Sequence, residues 1–102
     1  MSPSRDLLGE EQLAEAMGQL PHWKLLDDRL QRSFRFGDFQ RAFEFMTAAA
    51  AHAERLDHHP DWSNSYDRVD VILRTHQTNG DRSGITGLDL ELARLMDELA
   101  SA

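Results

Sequence analysis

The spacing of apolar residues changes rhythm along the chain, and each change predicts a new element. From Glu10 to Leu20, Leu13, Ala16, Met17 and Leu20 recur at helical spacing. Two acids stand in the first turn, where the helix dipole favours them, and Gly18 and Pro21 close the segment. Trp23 to Leu26 and Leu30 to Phe36 flank Asp27-Asp28-Arg29 and read as a hairpin. In its second strand Leu30, Phe34 and Phe36 share one face, and Arg32 interrupts that face, as a strand near a sheet edge tolerates. Asp38 then caps a longer helix to about Asp57, with Phe39, Phe43, Met46, Ala50 and Ala53 as its apolar stripe and an alanine run of high helix propensity.

That helix must stop near His59, because Pro60 disfavours helical conformation in the residue before it and has no N–H to donate. Beyond it, an extended piece around Asn64 to Tyr66, a turn at Asp67-Arg68 and the β-branched run Val69 to His76 predict a second hairpin. Gln77 to Ser83 is rich in turn formers and reads as a loop. Thr86-x-x-Asp89 has the form of a capping box, and Leu88, Leu92, Leu95, Met96 and Leu99 give the final helix its apolar face. The predicted order is α-β-β-α-β-β-α, an α+β domain with a four-stranded antiparallel sheet and its helices on one face.

Composition narrows the function. At 102 residues the chain fits one domain, residues 1–102, with residues 1–9 expected as a flexible leader; at this length about 65% of the unfolded surface is buried on folding. Eleven basic against eighteen acidic residues leave a formal charge of -7, which repels nucleic-acid phosphates and anionic lipid and offers no basic stripe for either. With no cysteine, disulfides, thiolate metal sites, iron-sulfur clusters and a cysteine nucleophile are excluded. No apolar run approaches the ~20 residues of a membrane span, and a soluble, cytoplasmic protein is expected.

The remaining chemistry lies in histidines at element ends. His58 and His59 stand at a helix exit and His76 at a strand end. An imidazole that titrates near neutrality takes a proton at one place and gives one at another, as elimination of water requires. Strand alternation puts His76 with Ile72 and Arg74, opposite Val71, Leu73 and Thr75. Each residue also has a structural reading. Imidazoles suit a helix C-terminus, Asp89 has a complete role as a cap, and Glu54 is either a solvated helix carboxylate or a group orienting His58 from one turn away. His22, His52 and the aromatic residues Phe34, Phe36, Phe39 and Phe43 read as surface and core respectively. A metal site built from Glu54, His58, His59 and His76 has the right ligand types and is a third reading.

The pattern Glu54-x3-His58-His59-Pro60-x5-Tyr66-x9-His76-x12-Asp89, with Trp62 in its place, resembles the signature of the pterin-4a-carbinolamine dehydratases. The order of elements fits that family over nearly the whole chain. The resemblance implies dehydration of a 4a-hydroxytetrahydropterin to the quinonoid dihydropterin, in tetrahydrobiopterin recycling beside an aromatic amino-acid hydroxylase, with no cofactor and no metal. It implies that His58, His59 and His76 line the pterin pocket and act in acid-base catalysis or substrate binding, with Asp89 beside them as a further catalytic group; by their place next to these residues, Asp57, Pro60, Trp62 and Thr75 are candidates for the pocket wall, and Glu54 for support. It further implies a homodimer or homotetramer. In some members the same fold serves as a non-catalytic dimerisation or coactivator module, which is the alternative function. The chain departs from the family in a longer His76 to Asp89 interval, with Gln77 to Ser83 as an expanded loop, and in Gly87 where an acid is common. Both bear on where Asp89 sits.

Overall fold

The computed structural model describes residues 4–101, and it folds the chain in the predicted order. The elements are α1 (Glu10–Gly18), β1 (Lys24–Leu26), β2 (Arg29–Arg35), α2 (Phe39–Leu56), β3 (Asp61–Ser65), β4 (Arg68–Leu73) and α3 (Gly87–Ser101). The four antiparallel strands lie in the order β1-β2-β4-β3. Alternation decides the faces: Leu30 pairs with Leu73 and Phe34 with Val69, and these residues are buried together with Val71 against Ala42, Ala49, Leu92 and Met96 of the helices. The same alternation turns Ser33, Asp70 and Ile72 to the other side, where Ser33 is exposed and Asp70 and Ile72 are only half-buried.

Two expectations change, and one holds: β1 covers β2 only from Arg29 to Gln31, so Arg32 stands beside an open stretch of β2, as expected of a position near an edge. It is tolerated because Asp97 of α3 accepts from its Nη1 at 2.5 Å and its guanidinium lies 4.1 Å from the Phe34 ring centroid. The same Asp97 oxygen accepts from Trp23 Nε1 at 2.7 Å, so one carboxylate satisfies two polar groups beneath the sheet. The buried stripe of α2 is Ala42, Phe45, Ala49 and Ala53, so Phe39 and Phe43, expected in the core, are 48% and 54% exposed. Neighbouring helix positions differ by about 100°, and an alanine-rich helix carries two adjacent apolar stripes; the small one lets the backbone approach α3 closely. The turn of the second hairpin falls at Tyr66-Asp67, one residue earlier than predicted, since Ser65 pairs with Arg68. Tyr66 takes a left-handed φ of 53°, and Asn64 Nδ2 ties the turn by donating to the carbonyls of Tyr66 and Arg68.

α1 ends at Gly18, and Leu20 is buried just beyond it. Before α1, Leu8 N–H donates to Ile85 O, Asn79 N–H donates to Arg5 O, and Leu7 bridges Thr86. Part of the expected leader therefore lies along the 77–86 segment.

Candidate active site

The site begins where α2 stops. Asp57 adopts the left-handed conformation (φ 50°, ψ 44°), which an aspartate tolerates better than most residues, and His58 N–H donates back to Ala53 O. This reversal separates the two histidines: His58 turns inward and is 6% exposed, while the side chain of His59 remains open to solvent.

His58 Nε2 lies 2.6 Å from Oδ1 of Asp89, a residue with no exposure at all. Asp89 Oδ2 accepts from Thr75 Oγ1 at 2.8 Å and from Thr86 N–H at 3.0 Å. Thr75 has one hydroxyl proton and gives it to Asp89, so across the 2.8 Å contact between the threonine hydroxyls Thr86 must donate. Thr86 Oγ1 in turn accepts from Leu88 N–H. Every group in this chain is satisfied, as burial demands. Asp89 is thus both the cap of α3 and the partner of His58. With the carboxylate accepting at Nε2, His58 keeps Nδ1 as the nitrogen available for proton exchange.

The strand expected to run to His76 ends at Leu73; His76 lies beyond it, exposed where Thr75 is buried, and its Nε2 stands 3.9 Å from Asp61 Oδ2. Glu54, read as a possible support for His58, instead meets His59, with 3.1 Å between Oε2 and Nε2. A cleft of about 250 Å³ gathers Asp57, His58, His59 and His76. Asp89 and Thr75 do not line it but hold His58 from behind. Pro60 is absent from its lining, and so is Trp62, whose pairing with Val71 turns it to the helix side, where it packs on the core. A wider concavity of about 600 Å³, with Phe36, Phe45 and Leu99 in its wall, contains no histidine. Among the described residues no group of three or more histidine, aspartate or glutamate side chains is arranged to hold a metal ion, each of the three histidines having its own carboxylate. No described helix is long and apolar enough to cross a membrane.

Arg5, Arg74 and Gln77 complete the cleft and were not identified from sequence. Alternation held the signal for Arg74, which shares its face with His76; Arg5 gave none, since nothing local indicates that its segment docks. Arg74 Nη1 approaches Asp28 Oδ2 at 3.4 Å, and the Ser83 hydroxyl donates to the same oxygen at 2.8 Å. The Ser83 hydrogen bond, followed by the charges of Arg74 and Arg29, holds the Asp28 carboxyl below its ordinary value of 3.8 against the opposing effect of burial. A depressed carboxyl contributes stability above its unfolded value and loses it as pH falls through the folded one. Ser83→Ala is therefore expected to move the Asp28 titration upward and to remove part of the stability present above about pH 4, less than about 1 kcal/mol because the side chain is partly solvated. Carbon-detected NMR titration with chemical denaturation at pH 3 and pH 6 reads both; an unchanged Asp28 midpoint would count against this.

A family model described as pterin 4 alpha carbinolamine dehydratase matches residues 6–99. Relatives from Brucella ovis and Brucella suis biovar 1, each named provisionally as a pterin-4-alpha-carbinolamine dehydratase, are 48% identical over 99 residues, covering 95% of this chain and 98% of theirs. A crystal structure from Brucella melitensis, described as a transcriptional coactivator/pterin dehydratase, superposes with a TM-score of 0.85 at 46% identity, over 93% of this chain and 99% of that one. With the histidine cleft in place and the match running through both hairpins and all three helices, this chain belongs to the pterin 4 alpha carbinolamine dehydratase family.

Proposed function

We propose that the cleft dehydrates a 4a-hydroxytetrahydropterin to the quinonoid dihydropterin and water. The observation that carries this reading is His58, fixed through Nε2 to a buried carboxylate, in one cleft with two further imidazoles. The C4a–O bond breaks as a proton reaches the leaving hydroxyl, and the N5 proton passes to a base as the C4a–N5 double bond forms. His58, through Nδ1, and His76 are the proton-transfer pair. His59 and the Asp57 carboxylate bind substrate, the latter suited to the 2-amino and N3–H donor edge of the pterin ring. Asp89 and Thr75 position His58, and Glu54 supports His59. No bound cofactor takes part. The reaction belongs beside a pterin-dependent hydroxylase, which supplies the substrate. The test is turnover of enzymatically generated 4a-hydroxytetrahydropterin above the spontaneous rate; a folded protein that gives only the spontaneous rate removes the reading.

The exposed rings of Phe39 and Phe43, 5.7 Å apart on α2, favour self-association as a dimer or tetramer and leave room for a coactivator-type role on the same surface. Phe43→Arg is expected to lower the sedimentation-equilibrium mass to that of a smaller species without unfolding the chain. An unchanged mass would place the assembly surface elsewhere.

A further inference from the structure

The cleft is cationic in a chain whose formal charge is -7. Arg5 reaches it because its segment is seated by Leu7, which fills the space left by two glycines. A Cβ on Gly80 or on Gly84 would come within 2.7 or 2.6 Å of a Leu7 methyl. The Arg5 guanidinium then meets only backbone carbonyls, those of Gln77 and Asp57, each at a long 3.4 Å, and it pairs with no carboxylate among the described residues. Arg74 is only partly neutralised, since Asp28 is shared between Arg74 and Arg29, both at 3.4 Å. On the acidic side, Asp57 lines the cleft, while Glu54 and Asp61 are each engaged by a histidine.

A cleft of about 250 Å³, just below the ~300–1,000 Å³ usual for small-molecule sites, has room for a bicyclic ring, and Arg5 and Arg74 are part of the wall that the ring's side chain meets. We infer that Arg5 and Arg74 select pterins whose C6 side chain carries an anionic group, a carboxylate or a phosphate. Two guanidiniums against one free carboxylate attract such a group, and a guanidinium presents the paired donors that both oxyanions accept. This inference rests on the pterin reading above and deepens it by naming the substrate class.

Equilibrium binding, followed by quenching of pterin fluorescence, tests it without requiring turnover. The probes are pterin-6-carboxylate, 6-hydroxymethylpterin phosphate and neutral 6-hydroxymethylpterin. The intact protein is expected to bind at least one anionic probe about tenfold more tightly than the neutral one at low salt, with the gap shrinking toward 1 M salt as the Debye length falls to about 3 Å. Arg5→Gln and Arg74→Gln are each expected to cut the ratio several-fold, and Arg5→Lys to keep part of it. Because the ratio is taken within one variant, a loss of folded protein cancels. A tighter carboxylate identifies an acid side chain, and a tighter phosphate a phosphorylated one. Equal affinities for all three probes, or a preference that survives in the Arg5→Gln/Arg74→Gln double variant, would overturn the inference. Failure to bind any of the three removes the pterin reading and the inference with it. A preserved preference in a protein without dehydratase turnover removes the catalytic reading alone.

Discussion

Asp89→Asn is expected to lower kcat by about 10²- to 10⁴-fold while the protein stays folded, the range general acid-base catalysis typically supplies. The wild-type carboxylate accepts on both oxygens, from His58 on one side and from Thr75 and Thr86 N–H on the other. An asparagine has a single acceptor oxygen. Facing Thr75 and Thr86, it turns its NH₂ toward His58, and the imidazole must then accept at Nε2 and carry its proton on Nδ1. The tautomer is reversed and the nitrogen assigned to proton exchange is no longer a base, the same logic by which the carboxylate of a catalytic triad fixes its histidine. The α3 cap survives, so the loss should fall on kcat more than on KM, and the ¹⁵N shifts of His58 should report the exchanged protonation. Wild-type kcat in a variant with the reversed tautomer would show that His58 does not transfer the proton.

His58→Ala is expected to cost about 3 kcal/mol of stability or more, because it leaves an oxygen of a buried carboxylate without its hydrogen-bond donor. Asp89 has no exposure and Oδ1 has His58 as its hydrogen-bond partner. Against a total of about 5–15 kcal/mol for an ordinary domain this is a large fraction, and Tm should fall by more than about 10 °C. His76→Ala, at a side chain 62% exposed, should change Tm little. The contrast separates a histidine built into the frame from one displayed on it, and calorimetry on the two variants reads it directly. Equal and small shifts would mean that water replaces the His58 contact and that the buried pair contributes little.

The buried pair explains why the long 77–83 loop does not displace Asp89. Thr75 is bonded to Gly84 in both directions across an isolated bridge, so the expanded segment is closed at its base, and Asn79 ties its tip to Arg5 and Asp6. Thr86, which precedes α3, then stands with its hydroxyl 2.8 Å from that of Thr75. Surface loops tolerate insertion when their ends are pinned in this way.

How far the sequence could be read follows from the range of each signal. Periodicity is local, and it yielded all seven elements in order and the end of α2 before Pro60, while the strand predicted to reach His76 stops at Leu73. What it could not decide was relational. The two apolar stripes of α2 differ only in which one meets α3, so Phe39 and Phe43 were misplaced. Arg32 faces the helices beside an open stretch of β2, and its partner Asp97 lies far along the chain. Glu54 is near both histidines in sequence, and the left-handed Asp57 decides that it meets His59. Arg5 is the clearest case, since its place in the cleft depends on Leu7 finding two residues without side chains at Gly80 and Gly84. The pairing of His58 with Asp89 was legible only through the family signature, because no local pattern links a helix exit to the cap of another helix.

The most direct test of the account is stopped-flow absorbance of 4a-hydroxytetrahydropterin dehydration by the wild type, His58→Gln, His76→Ala and the double variant. Glutamine retains a donor for Asp89. Circular dichroism confirms that each protein is folded. The account predicts a wild-type rate well above the spontaneous one and a loss of about 10²-fold or more in each single variant. The double variant should be scarcely slower than the worse single one, because the two groups act as a unit. A folded wild type that gives only the spontaneous rate with both neutral and anionic pterins, or single variants that retain the wild-type rate, would contradict it.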